Sequence, residues 1–166
     1  MSAEDHFKLG NKFYDNEQYD LAIANYSDSI HLDPQFALAY TERGRSYLSK
    51  NENDLALADF DEAIRLDPYQ AIAYNGRGVS YKNTGRYDLA IADFNEAIRL
   101  DPEYAIAYNN RGISYYLKGE YDQAMVDYTE SIHLDPQYPH AYNNRGVIYI
   151  GLSLGLLKTV INGSNH

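Results

Sequence analysis

Apolar residues recur along this chain at helical spacing, in pairs of segments separated by short polar turns. From 71 to 83, Ala71, Ala73, Tyr74, Gly78 and Tyr81 fall at intervals that place them on one side of a helix, which predicts a first helix over Ala71–Asn83. Thr84-Gly85-Arg86 interrupts it, and Gly85 suits the left-handed conformation that ends a helix. The spacing resumes from Asp88 to Leu100, with Leu89, Ala90, Ile91, Phe94, Ala97 and Ile98 on the apolar side of a second helix. Pro102 then belongs in the turn or at the first position of the next helix, where its missing N–H costs nothing, and Asp101 is placed to cap that helix.

The same pair recurs. Leu-Asp-Pro occurs at 32–34, 66–68, 100–102 and 134–136, each copy starting 34 residues after the last. A fixed period in this range signifies a repeat architecture. The columns agree in phase: Gly10, Gly44, Gly78, Gly112 and Gly146; Ala22, Ala56, Ala90 and Ala124; Phe13, Tyr47, Tyr81, Tyr115 and Tyr149; Tyr26, Phe60, Phe94 and Tyr128. Small residues stand where helices must approach closely, and aromatic ones where the space between them must be filled. Frames of 3–36, 37–70, 71–104 and 105–138 follow, with a partial fifth over 139–150 and an atypical apolar tail over 151–166.

These columns resemble the tetratricopeptide repeat family: an aromatic, a small residue, a Tyr, an Ala, a second aromatic and a closing Pro. The resemblance covers residues 3–150. It implies an all-α helix-turn-helix solenoid, a right-handed superhelix of about five helix pairs whose first helices line a concave groove. It also implies a protein–protein interaction module that takes an extended peptide or helix in that groove, and no enzyme. Carried onto this sequence, the groove residues are Leu38, Arg45, Ile72, Asn75, Val79, Lys82, Ile106, Asn109, Asn110, Ile113, Tyr116, Asn143 and Asn144. The asparagines matter because an amide both donates and accepts, and so can pair with any peptide backbone. One subtype, the clamp for chaperone C-terminal carboxylates, fits poorly: Asn11 matches, but Phe7, Glu42, Ile72 and Gly76 occupy the other clamp positions.

Charge and composition narrow the partners. The net charge of −10 lacks the basic footprint of a nucleic-acid binder and disfavours anionic membrane surfaces. There is no cysteine, hence no disulfide, thiol catalysis or Cys-bound zinc. Met1–Asp20 is charged throughout, unlike a signal peptide, and the apolar run Ile150–Ile161 is too short to span a bilayer. A cytoplasmic location is the expectation. Catalytic constellations, cofactor motifs and metal-ligand spacings are not evident, and His31 and His133 share the column of Arg65 and Arg99.

Two features stand apart. Arg43, Arg77, Arg111 and Arg145 form a column in which the first frame has Leu9, and Asp59, Asp93 and Asp127 form one in which it has Asn25. The frame that lacks the arginine also lacks the aspartate. Each arginine is therefore expected to meet the aspartate of its own frame, against the rival reading of an anion-binding ladder. In the tail, Leu152, Leu154, Leu156, Leu157, Val160 and Ile161 fall on one helical arc opposite Lys158, Thr159 and Asn162. Solenoids usually finish with a polar face. This apolar arc predicts self-association, so the alternative functions are a homo-oligomeric structural module or the recognition arm of a larger enzyme.

Overall fold

The structure, a computed structural model, describes residues 1–157. Among them the chain is all α, with nine helices and no strand: α1 Ala3–Asp15, α2 Tyr19–Leu32, α3 Ala37–Ser49, α4 Asn53–Leu66, α5 Ala71–Asn83, α6 Tyr87–Leu100, α7 Ala105–Lys118, α8 Tyr121–Leu134 and α9 Pro139–Ser153. They form two compact units, one of Met1–Leu100 and one from Asp101 onward. In the first unit α1 pairs with α2, α3 with α4 and α5 with α6, and successive pairs stack through α2 on α3 and α4 on α5. In the second, α7 pairs with α8, and α9 packs on both. None of the described helices is long and apolar enough to cross a membrane.

Local chemistry sets the boundaries. Ser2 accepts from the Asp5 amide while the Asp5 carboxylate accepts from the Ser2 amide, a reciprocal cap at the start of α1. The turn inside each frame places one residue in the left-handed region: Glu17 at φ 59°, Asn51 at 61°, Gly85 at 77° and Gly119 at 81°. Only the last two carry glycine, which reaches that region without a Cβ penalty. Between frames, Asp33, Asp67, Asp101 and Asp135 each accept from the backbone amide two residues on, at 3.0–3.1 Å. Asp101 thus closes a local turn containing Pro102 and does not cap α7, whose preceding residue is Tyr104. An Asp carboxylate competes well for nearby amides of its own turn.

The core repeats with the sequence. Ala22, Ala56, Ala90 and Ala124 are fully buried, as are Tyr26, Phe60 and Phe94, with Tyr128 nearly so. Each aromatic plugs against the glycine of its own first helix: Tyr26 at Gly10, Phe60 at Gly44, Phe94 at Gly78 and Tyr128 at Gly112. Phe60 also meets Gly76 of the next first helix, so one ring wedges three helices together. Burying such a ring is worth roughly 1.5–3 kcal/mol.

The C-terminal part departs from the expected single apolar arc. Helix α9 runs on to Ser153, and a turn with Gly155 at φ 66° follows. The turn folds Leu157 back onto Gly151, so Leu152 and Leu157 join Ile148 and Tyr128 in the local core. Leu154 and Leu156 point outward. A regular helix would have carried all of these leucines on one face; the left-handed glycine splits them. Val160 and Ile161 lie outside the described residues.

Candidate functional site

The arginine column is settled by geometry. Arg43 donates to both carboxylate oxygens of Asp59 at 2.8 and 2.7 Å. Arg77 does so to Asp93 at 2.8 and 2.8 Å, and Arg111 to Asp127 at 2.8 and 2.6 Å. The three aspartates are buried. Burial pushes the Asp59 and Asp127 carboxyls up, opposed by the guanidinium facing each of them. Each arginine also stacks near the tyrosine three residues before it, at 5.4–5.6 Å. A further partner was not anticipated: Arg43 reaches Ser27 at 3.0 Å and Arg77 reaches Asp61 at 2.8 Å, both on the preceding second helix. The column 27, 61, 95, 129 changes chemistry in every frame (Ser, Asp, Asn, Thr), which hides the shared hydrogen-bonding role in the sequence. These three arginines are structural ties between helices, not an anion ladder.

The proposed binding residues fall into two groups, one per unit. On the first unit, Leu38 of α3 and Ile72 of α5 occupy equivalent positions and are 47% and 46% exposed. Val79 and Lys82 continue down α5 and are half-buried. Lys82 has no ion-pair or hydrogen-bond partner among the described residues, and burial lowers its pKa below the ordinary lysine value. Asn75 is buried. Arg45 is already engaged: it pairs with Glu42 at 2.7 Å and its guanidinium lies 5.0 Å from the Tyr14 ring centre. Nearby an open cleft of about 260 Å³ is lined by Phe7, Asn11, Tyr14, Asp15, Glu42 and Arg45. Asn11 there accepts from the Tyr26 hydroxyl at 2.8 Å. Two carboxylates and a committed arginine make this cleft a poor seat for a ligand carboxylate.

On the second unit, Ile106 is exposed, and Ile113 and Tyr116 are half-buried against the Tyr128 cluster. The Tyr116 ring tilts against Tyr121 at 5.6 Å. Asn143 is exposed. Asn109 is only 2% exposed and accepts from the Asn144 amide at 2.9 Å. Asn110 is half-buried and makes an interaction of its own. The asparagine ladder is therefore divided. In the same column as Asn109, Thr41 donates to Gln70, the residue just before α5, at 2.9 Å. Asparagine is the same letter whether it faces solvent or a neighbouring helix, so spacing alone could not separate the two. Among the described residues no group of three His, Asp or Glu side chains is arranged to hold a metal ion.

A helix pair docked glycine to aromatic every 34 residues defines the class of protein. Three family models match: a tetratricopeptide repeat over 7–71, a TPR repeat over 81–119 and a tetratricopeptide repeat over 105–138. The chain belongs to the tetratricopeptide repeat family. Among solved structures it is similar to MamA, at 28% identity, TM-score 0.76, over 88% of this chain and 85% of that one. The first TPR of Spaghetti (RPAP3), bound to the HSP90 peptide SRMEEVD, is 28% identical with TM-score 0.68, over 75% of this chain and 98% of that one. The Arabidopsis OM64 TPR domain is 27% identical with TM-score 0.68, over 69% and 95%. No curated protein matches the chain in sequence.

Proposed function

We propose that this chain is a protein-interaction module, and that its first-helix faces bind an extended peptide or helix carrying apolar and acidic residues. The observation that carries the reading is on α3 and α5: two half-exposed aliphatic side chains, Leu38 and Ile72, at the starts of these helices, and, about 15 Å further along α5, Lys82, a half-buried cation without a counter-charge among the described residues. A desolvated ammonium is costly until an anion meets it. In a protein of net charge −10, a ligand carboxylate is the group that gains most there. The peptide-bound RPAP3 neighbour supports binding of this general kind. Taken by itself, the second unit presents Ile106, Ile113, Tyr116 and Asn143 on its own first helices, with Asn110 and Asn144 bordering them.

The test is a titration of partner peptides, recovered from a native lysate, against wild type, Lys82→Met and the double variant Leu38→Ser/Ile72→Ser. A hydrogen bond to a charged group contributes about 1.5–3 kcal/mol, so Lys82→Met should weaken acidic peptides roughly 10- to 100-fold. Because the free Lys82 pKa is lowered, its charge is lost below the usual lysine value of about 10.4. Wild-type affinity for acidic peptides should therefore fall as pH rises through that lowered pKa, and Lys82→Met should show no such fall. Equal binding by all three proteins would end the assignment. Asn144→Ala is a poor probe of the groove, since it strips a donor from buried Asn109 and so acts on stability.

Self-association is the second reading, favoured by Val147, Ile150, Leu154 and Leu156, which are 51–75% exposed. Grouped apolar exposure of this kind favours association. Sedimentation of wild type at high micromolar concentration should show a dimer or larger species, and Leu154→Ser/Leu156→Ser should shift it to monomer. A wild type that remains monomeric throughout would remove this reading.

A further inference from the structure

Four first helices carry one stripe of Tyr, Arg, Gly and Tyr at i, i+3, i+4 and i+7: Tyr40 to Tyr47 on α3, Tyr74 to Tyr81 on α5, Tyr108 to Tyr115 on α7 and Tyr142 to Tyr149 on α9. On the first three, a second helix covers the stripe in the same way. Its aromatic ring enters at the glycine, and the aspartate just before that ring takes the arginine: Asp59-Phe60, Asp93-Phe94 and Asp127-Tyr128. On α9 no described residue covers the stripe. A Cβ added at Gly146 would meet no described atom within 4 Å, whereas one at Gly112 would lie 2.7 Å from the Tyr128 ring. Arg145 has no carboxylate partner among the described residues; it makes a 3.4 Å contact to Thr129 and lies 5.8 Å from the Tyr142 ring centre. Tyr142 and Tyr149 are 44% and 54% exposed.

Residues 154–166 contain no Phe, Tyr, Asp or Glu, and Ile161-Asn162 stands where the Asp-aromatic pair would fall. A folded second copy has none to present either, because its own pairs are buried. We infer that the Tyr142–Tyr149 stripe of α9 is an acceptor for a helix of a partner protein, one that bears Asp-Phe or Asp-Tyr on its apolar face. The ring fills the slot at Gly146, the carboxylate takes the Arg145 fork, and flanking aliphatic residues cover Tyr142 and Tyr149. Three internal copies of the contact specify the ligand. An Arg fork matched to a carboxylate is directional enough to set the register of the incoming helix. This surface is separate from the first-helix faces proposed above, and its occupancy does not depend on them.

The probe is a synthetic peptide of residues 86–100, the chain's own α6 segment, crosslinked across the exposed positions 88 and 92 to hold it helical. Titrated into the full ¹⁵N-labelled chain, it should saturate at one per chain and move the resonances of Gly146, Tyr142 and Tyr149. Phe94→Ala in the peptide should weaken binding at least tenfold. Asp93→Asn in the peptide should weaken binding about tenfold on wild type but less than twofold on the Arg145→Gln chain, a coupling that apolar contact alone would not give. Gly146→Leu should keep its fold, since the Cβ enters open space, and should lose the peptide. The inference is overturned by any of four results: no saturation at millimolar peptide, shifts mapping away from α9, undiminished binding by Gly146→Leu, or a wild-type dimer that Gly146→Leu converts to monomer. The last would assign the stripe to a second copy.

Discussion

Arg77→Ala should lower the stability of the chain by about 3–5 kcal/mol, the usual cost of breaking a buried ion pair from one side. Arg77 holds both oxygens of Asp93 and one of Asp61, and so ties α4, α5 and α6 together. Its loss leaves the Asp93 carboxylate in a site only 7% exposed to solvent. Asp61 is well exposed and rehydrates at little cost. At about 2–4 °C per kcal/mol for a chain of this size, the melting midpoint followed by circular dichroism should fall by roughly 10 °C. Two companions fix the interpretation. Arg77→Met with Asp93→Leu, which removes both charges and keeps apolar volume, should recover most of the loss. Arg145→Ala, at the arginine of this column that has no carboxylate partner among the described residues, should stay within about 0.5 kcal/mol of wild type. If Arg77→Ala and Arg145→Ala melt together, the ladder is not holding the helices.

The second large effect is a difference between two glycines in the same column. At Gly112 a Cβ would press on the Tyr128 ring at 2.7 Å and on Asp127 Cβ at 3.2 Å, both of them buried and anchored. Gly112→Ala should therefore cost about 1–3 kcal/mol through overpacking, despite alanine's better helix propensity. At Gly146 the same methyl meets open space, and Gly146→Ala should gain about 0.5–1 kcal/mol because the helix no longer carries glycine's backbone entropy. Opposite signs at equivalent positions, read by urea denaturation of the two single variants, are the expected result. Destabilisation by Gly146→Ala would mean that α9 is covered after all, and the stripe would not be open.

Much of this protein could be read directly from its letters. Helix spacing placed both helices of the third frame within a residue of their observed ends, the 34-residue period extended the same pair to the other frames, and the joint absence of arginine and aspartate in the first frame identified the Arg–Asp pairs. These properties are local or repeated, so four copies of the same pattern average away the ambiguity of one. What required the tertiary structure is non-repeating or two-sided. Whether Asn109 faces a ligand or Asn144 depends on which neighbour the next frame supplies. The second partner of Arg77 sits in a column that changes residue type from frame to frame. Leu157 turns inward because Gly155 takes a positive φ, a choice that the apolar pattern of the tail cannot express. Gly146 is the clearest case: its letter matches Gly112, and only the packing shows that Gly112 receives a ring while Gly146 receives none from the described residues. Periodicity determines which surfaces a helix carries; occupancy of those surfaces is a contact between distant segments, and only the folded chain decides it.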